Sequence, residues 1–214
     1  MSRDDLALVE KAKAGDKAAY RQLVERYQKR ALVLARDILR SQEDAEDVVQ
    51  ESFVKAYLSL DKFEGKSAFY TWFYRIVYNM AIDVKRKKQR RGGEKAEYED
   101  SLTSDSIDIP VSTQRFHDPQ QEVFRKEVSS QIHTAMEQLS DEHRQAIFMR
   151  EIDGMSYEEI ALVLGISKGT VMSRIFYARK KLQQLLQGLA SAIRGDEDDE
   201  LTVVGVGVSS PGKV

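Results

Sequence analysis

The sequence predicts an all-α protein built as two small helical domains joined by a flexible acidic linker. Three observations lead there. Apolar residues recur every third or fourth position through most of the 214 residues, which is the period of a helix. The three prolines, Pro110, Pro119 and Pro211, all lie outside those periodic segments. Charge also changes sign by segment. Residues 1–92 carry 20 Lys/Arg against 14 Asp/Glu, residues 93–120 carry 2 against 7, residues 121–195 carry 10 against 9, and residues 196–214 carry 1 against 5. The formal charge of −2 is therefore an average over opposed parts, and it does not exclude a nucleic-acid partner.

Ser2 and Asp5 are placed to cap a short first helix, which Gly15 and Asp16 break. Asp16 is the N-cap of a long second helix with one apolar stripe: Tyr20, Leu23, Val24, Tyr27, Ala31, Leu34, Ala35 and Ile38. Ser41 and Asp44 resemble a capping box before a stripe of Ala45, Val48, Val49, Phe53, Ala56, Tyr57 and Leu60. After a turn at Gly65, a third stripe runs through Phe69, Phe73, Ile76, Val77, Met80, Ala81 and Val84, and ends in the basic run 85–91. Residues 93–118 have no periodicity and are rich in Ser, Asp and Glu, as a linker is. Asp118 and Pro119 restart helical structure. A helix from Ser140 carries Ala146, Ile147 and Met149; Ser156 and Glu159 box the helix Tyr157–Leu164; and Ser167 caps a last helix reaching about Leu186. The domains expected are 1–92 and 119–194, with the linker 93–118 between them and an acidic tail over 195–214.

Composition excludes several classes. With no cysteine, there is no disulfide framework, thiolate nucleophile or Cys-ligated zinc. His117, His133 and His143 follow no metal-ligand spacing. The charged start Ser2-Arg3-Asp4-Asp5 is not a signal peptide, and no apolar run approaches the ~18–20 residues of a membrane span. Nothing supplies a nucleophile, a general base or a phosphate-cradling glycine loop. The expectation is a soluble, cytoplasmic, non-enzymatic protein without metal, cofactor or small-molecule substrate.

Three segments carry the functional signal. In 156–182 two helices flank a short glycine-containing turn, which is helix-turn-helix spacing. Val171, Ile175, Ala178 and Leu182 share the inner face of its second helix, leaving Met172, Ser173, Phe176 and Lys180 on the other. A phenylalanine among short polar and basic side chains suits a major groove with its thymine methyls, and Arg174, Arg179 and Lys181 suit phosphates. The plain alternative is a helical hairpin. On the helix over 67–91, Arg75, Asn79 and Arg86 oppose the core face, with Trp72 and Tyr78 toward its flank. Aromatics among cations next to a basic run form a platform for single-stranded nucleic acid. Alternatively, Trp72 is a core anchor and the basic run a solvated helix end. In 44–57, Asp44, Asp47 and Glu51 share one acidic face, either a solvated surface or a dock for a basic partner.

In this order the three segments resemble the extracytoplasmic-function sigma factors of the sigma-70 family, over residues 5–91 and 119–188. Asp44-Ala45-Glu46-Asp47-Val48-Val49-Gln50-Glu51-Ser52-Phe53 is similar to the family's core-polymerase-binding helix. The resemblance implies that Asp44, Asp47, Gln50 and Glu51 meet the largest subunits of RNA polymerase. Residues 67–79 resemble the promoter-melting segment. The implied −10 set is Phe63, Glu64, Gly65, Lys66 and Ser67 in a loop that captures a flipped non-template base, together with Trp72, Arg75, Asn79, Lys85 and Arg86. Residues 156–182 resemble the −35-reading domain, with Lys168, Thr170, Met172, Ser173, Arg174, Phe176, Tyr177 and Arg179 at the DNA. The likeness is close to the envelope-stress type, with departures at Met172 and Tyr177, where relatives carry basic residues. It also implies promoter DNA and an anti-sigma protein, often membrane-bound, as partners of a chain that is monomeric when free. It implies, too, that the linker threads the polymerase RNA channel. The rivals are a stand-alone helix-turn-helix regulator and an interaction protein that uses the acidic face.

Overall fold

The computed structural model describes residues 3–92 and 119–187. The linker 93–118, the tail 195–214 and the caps expected at Ser2 and Asp118 lie outside the described residues. Eight α-helices run in order: α1 Arg3–Lys13, α2 Lys17–Leu39, α3 Gln42–Leu58, α4 Phe69–Gly92, α5 Pro119–Glu137, α6 Asp141–Glu151, α7 Tyr157–Leu164 and α8 Lys168–Leu185, with a 3-10 turn at Leu60–Lys62. Among the described residues no strand is present.

Local chemistry accounts for the helix ends. Asp16 accepts from the backbone N–H of Ala18 and Ala19 at 2.8 and 3.1 Å, satisfying two of the four orphan donors of α2. Ser41 accepts from the N–H of Asp44 at 3.3 Å. The box at Ser156 is complete: Ser156 takes the N–H of Glu159, and the Glu159 carboxylate takes the N–H of Ser156 at 2.9 Å. Helix α2 ends on Arg40 in the left-handed region at φ 56°, a cap with no glycine to mark it in the sequence.

In the N-terminal half, α2, α3 and α4 bury their stripes together: Leu23, Leu34 and Ile38 against Val48 and Phe53, and both against Phe69, Phe73 and Val77. The rings of Phe53 and Phe73 stack with centroids 4.3 Å apart. Helix α1 is tied on by the buried Asp5, which takes the Tyr27 hydroxyl at 2.5 Å and the Arg26 guanidinium. Tyr57, placed by periodicity in the buried stripe, is partly exposed, and its ring instead meets Tyr20 edge-on at 4.9 Å. In the C-terminal half, Met149 of α6, Ile160 and Val163 of α7, and Val171 and Ile175 of α8 are buried and continuous with that first core. Leu139, Ile147 and Ala178 form a smaller cluster of their own.

The two halves touch, and polar groups dominate the bonds between them. Arg144 of α6 donates to Asp37 of α2 at 2.9 Å, and both side chains are nearly inaccessible. Arg144 also holds Asp141 at 2.6 Å, and Asp141 binds Lys85 of α4. In the α6–α7 turn, the Asp153 carboxylate accepts from the Tyr74 hydroxyl at 3.2 Å, and its carbonyl accepts from Arg30 at 3.0 Å. Thr71 donates to Glu159 at 2.9 Å and Tyr78 to Gln145 at 3.2 Å. Asp37 and Asp153 each keep one buried carboxylate oxygen without a hydrogen bond.

Burial pushes the Asp37 carboxyl above the usual range against the pull of Arg144, and pushes Asp153 up to about 6 against the pull of Arg30 and the Tyr74 bond. Two outcomes follow. Arg144→Met leaves Asp37 buried without its cation and lowers the unfolding free energy by about 3–5 kcal/mol, measured by denaturant titration. Asp153 binds its proton more tightly folded than unfolded, so it adds stability as pH falls from about 6 toward 4 and carries its full penalty above 6. Asp153→Asn removes that dependence and raises stability at pH 7.5 by on the order of 2 kcal/mol, read from unfolding midpoints of both proteins across pH 4–8.

Candidate nucleic-acid and partner interfaces

Helix α3 turns its apolar stripe inward and so leaves Asp47, Gln50 and Glu51 exposed. Asp44 begins the same face but is engaged: Lys88 of α4 binds its carboxylate, and Ser41 adds a bond. Burial alone would raise the Asp44 pKa, and these bonds outweigh it and lower the value. The face continues into two residues not picked out from the sequence, Val54 and Leu58, the latter 78% exposed. They follow Asp47 at i+7 and i+11, a spacing that carries the acidic row into an apolar one.

The segment before α4 is anchored at one end and open at its tip. Leu60 and Phe63 are buried, and the Phe63 ring meets Trp72 at 5.3 Å and Phe69 at 5.8 Å. The Phe63 side chain, expected in the base-capturing loop, is packed in the core in this structure. Glu64 and Lys66 are exposed and pair with each other. Gly65 has φ +72° with open space where a Cβ would stand, so its backbone, not crowding, demands glycine. Ser67 is half-buried and bonds the Ala68 carbonyl at 3.3 Å.

On α4, positions 72, 75, 79 and 86 fall within a sector of about 60° at 100° per residue. Arg75, Asn79 and Arg86 are exposed there, and Trp72 is half-buried at its foot. Trp72 is thus both a core neighbour of Phe63 and Phe69 and the base of an outward stripe. Lys85 is not on that stripe. It points to the other side of the helix, where Asp141 binds it.

Helix α8 leaves α7 at 104°, within the range of about 90–120° for a helix-turn-helix. Gly165 makes the turn at φ +68°, and Ser167 caps α8 by accepting from the N–H of Thr170 at 3.1 Å. Val171, Ile175 and Ala178 are buried, which turns Met172, Ser173, Phe176 and Tyr177 outward; Phe176 is 62% exposed. Three of the cations nearby are engaged within this half. Arg174 bonds Glu142 at 2.8 Å, Arg179 bonds Glu151 at 2.6 Å, and Lys168 bonds Glu158 at 2.5 Å. Such exposed pairs are weak and exchangeable. Among the described residues no group of three or more His, Cys, Asp or Glu side chains is placed to hold a metal, and no single helix is long and apolar enough to cross a membrane.

Comparison with known proteins fits this layout. Residues 23–91 match the family described as Sigma-70 region 2, and residues 129–182 match Sigma-70, region 4. The chain is 40% identical over 188 residues to the ECF RNA polymerase sigma-E factor of Haemophilus influenzae, covering 86% of this chain and 96% of that one. It is 38% identical over 188 residues to the RNA polymerase sigma-H factor of Pseudomonas aeruginosa, covering 86% and 95%. Among solved structures, CnrH in complex with the cytosolic domain of CnrY superposes with TM-score 0.59 at 29% identity, over 87% of this chain and 99% of that one. The sigma factor RpoE in complex with the anti-sigma factor NepR from Bartonella quintana gives TM-score 0.59 at 27% identity, over 78% and 96%.

The burial of Phe63 sets a test of its role. Phe63→Ala removes a ring from between Phe69 and Trp72 and lowers the unfolding free energy by about 3–5 kcal/mol, measured by denaturation of the free chain. A loss below about 1 kcal/mol would show that the ring is not part of the core.

Proposed function

The chain belongs to the sigma-70 family as an extracytoplasmic-function sigma factor, and from that premise we propose which of its residues make each contact. As a sigma factor it binds core RNA polymerase and directs promoter-specific initiation. The family supplies specificity and not catalysis. Asp47, Gln50 and Glu51 dock on a basic surface of the largest polymerase subunits, with Asp44 set at the edge by Lys88 and with Val54 and Leu58 extending the contact. Glu64–Ser67 and the stripe Trp72, Arg75, Asn79 and Arg86 take the opened −10 strand. The outer face of α8 reads the −35 duplex through Met172, Ser173, Phe176 and Tyr177, while Lys168, Thr170, Arg174 and Arg179 meet the backbone.

The observation that carries this reading is the pairing of two different nucleic-acid faces in one chain. One is a helix-turn-helix with an exposed aromatic at the groove face. The other is a cation–aromatic stripe beside a glycine-containing loop. Duplex reading suits the first and strand capture the second. Capturing a base must offset an unstacking cost of a few kcal/mol, and stacking returns ~1–3 kcal/mol per base. A stand-alone regulator would need only the helix-turn-helix, whereas this chain matches the family in both halves. An anti-sigma protein is the partner expected to hold the free chain in check, as NepR is bound to its sigma factor.

The test is run-off transcription with purified core polymerase on a promoter library, which would show specific initiation. Asp47→Arg is expected to abolish association with core while the fold, followed by circular dichroism, stays intact. Ser173→Glu with Arg174→Glu is expected to lose the −35 footprint and keep core binding. Unchanged pull-down in the first variant or an unchanged footprint in the second would refute the corresponding assignment.

A further inference from the structure

Helix α1 lies outside the span 23–91 that matches region 2, yet one of its side chains reaches the loop before α4. The Lys13 ammonium donates to the backbone carbonyl of Phe63 at 2.8 Å and stands 5.9 Å from the centroid of the Phe63 ring. It also pairs with Glu10 on its own helix at 3.3 Å. Lys13 is partly buried, whereas Glu10 is largely exposed, so the carbonyl bond is the more sheltered of the two.

The position of this bond along the loop is what matters. Upstream, the chain is held by the turn bonds from Lys62 N–H to Ser59 and from Phe63 N–H to Leu60, both 3.0 Å, and by the buried Leu60 and Phe63 side chains. Downstream come the exposed Glu64 and Lys66, with Gly65 in the left-handed region between them. The Phe63 carbonyl is the hinge between the anchored and the open part. A charge-assisted bond at that point is stronger than a neutral one, and it fixes the peptide plane from which the tip departs. The ring on the same residue is locked from its other side by Phe69 and Trp72.

We propose that Lys13 is a positioning residue for promoter opening: by holding the Phe63 carbonyl it sets where the Glu64–Ser67 tip stands beside the Trp72 end of α4. The role rests on the assignment of that tip to base capture, and it brings α1 into the melting apparatus without any contact of its own with DNA.

The experiment uses the full chain assembled with core polymerase. Lys13→Met keeps the aliphatic stem and removes the charge-assisted bond; Lys13→Arg keeps a donor. In Lys13→Met, permanganate reactivity of −10 thymines is expected to fall roughly five- to tenfold, and discrimination among bases at the captured position is expected to narrow. Core association and the −35 footprint stay as in the parent, the variant stays folded at the assay temperature with a lowered thermal midpoint, and Lys13→Arg restores most of the discrimination. Discrimination is the readout that a merely stabilising lysine would not move. The proposal is overturned if Lys13→Met opens the same bases with the same selectivity. It is also overturned if the loss of opening only tracks a loss of thermal stability. Replacing Glu64–Ser67 separates the two levels. If that swap alters which bases open and Lys13→Met does not, only the lysine inference fails. If the swap alters nothing, base capture by this tip fails, and the inference with it.

Discussion

Helix α4 has three faces, and each is committed to a different task. Phe69, Phe73, Val77 and Ala81 are buried in the N-terminal core. Thr71, Tyr74, Tyr78 and Lys85 bond to Glu159, Asp153, Gln145 and Asp141 of the C-terminal half. Trp72 lies at the foot of a third row, where Arg75, Asn79 and Arg86 face solvent. A helix of 24 residues offers only so much circumference, so no face can be altered without disturbing the residues beside it. The stripe assigned to the opened strand is rigid because the other two faces are held. That is the condition a reading surface needs, since a loosely held side chain loses both affinity and selectivity when it must be ordered on binding.

The second face also joins the two halves, and the buried apolar core runs on across it into Met149, Ile160, Val163 and Ile175, as a domain core cut in two would. Here the bonds across it come from carboxylates, guanidinium groups and phenols, and two carboxylate oxygens are buried without a hydrogen bond. Burying an ion pair costs desolvation that its own attraction barely offsets, so Asp37 and Arg144 add little net energy beside the apolar core that both halves share. Removing one partner of the pair is different in kind, because it leaves a buried charge uncompensated.

Much of this was legible in the sequence. Five helix starts or stops carry their chemistry in single residues, Asp16, Ser41, Ser156, Gly165 and Ser167, and the 3.6-residue period gave the inner faces of α2, α3, α4 and α8. What could not be read depended on distant residues. Asp37 and Arg144 are 107 positions apart, and nothing local to either announces the other. The family resemblance put Phe63 in a base-capturing loop; tertiary packing with Phe69 and Trp72 buries it. Lys85 belonged by composition to the basic run, and its angular position on α4 sent it to Asp141 instead. Tyr57 erred in the other direction, falling on the stripe by spacing yet lying past the edge of the core. The left-handed cap at Arg40 had no glycine signal. The acidic row on α3 was legible as a pattern, but its engagement with Lys88 and its apolar extension through Val54 and Leu58 needed neighbours and exposure to be seen.

The pairing of three of the cations on α8 bears on how a reader of this kind would work as part of a larger assembly. Residues 121–195 are nearly neutral, and Arg174, Arg179 and Lys168 are each already satisfied by a glutamate of α6 or α7. Binding to phosphate must exchange one weak ion pair for another, so counterion release from DNA yields less net affinity than three unpaired cations would supply. In the proposed reading, the outer face of Met172, Ser173, Phe176 and Tyr177 is then left to discriminate among sequences without a strong nonspecific background. Low intrinsic affinity is corrected by tethering. Once the chain is docked on polymerase, by the α3 face in the reading proposed above, each DNA contact becomes intramolecular, at an effective concentration set by the reach of the connecting chain. Two modest readers at a fixed separation then select promoters by the spacing of their elements as well as by sequence, which neither reader achieves alone.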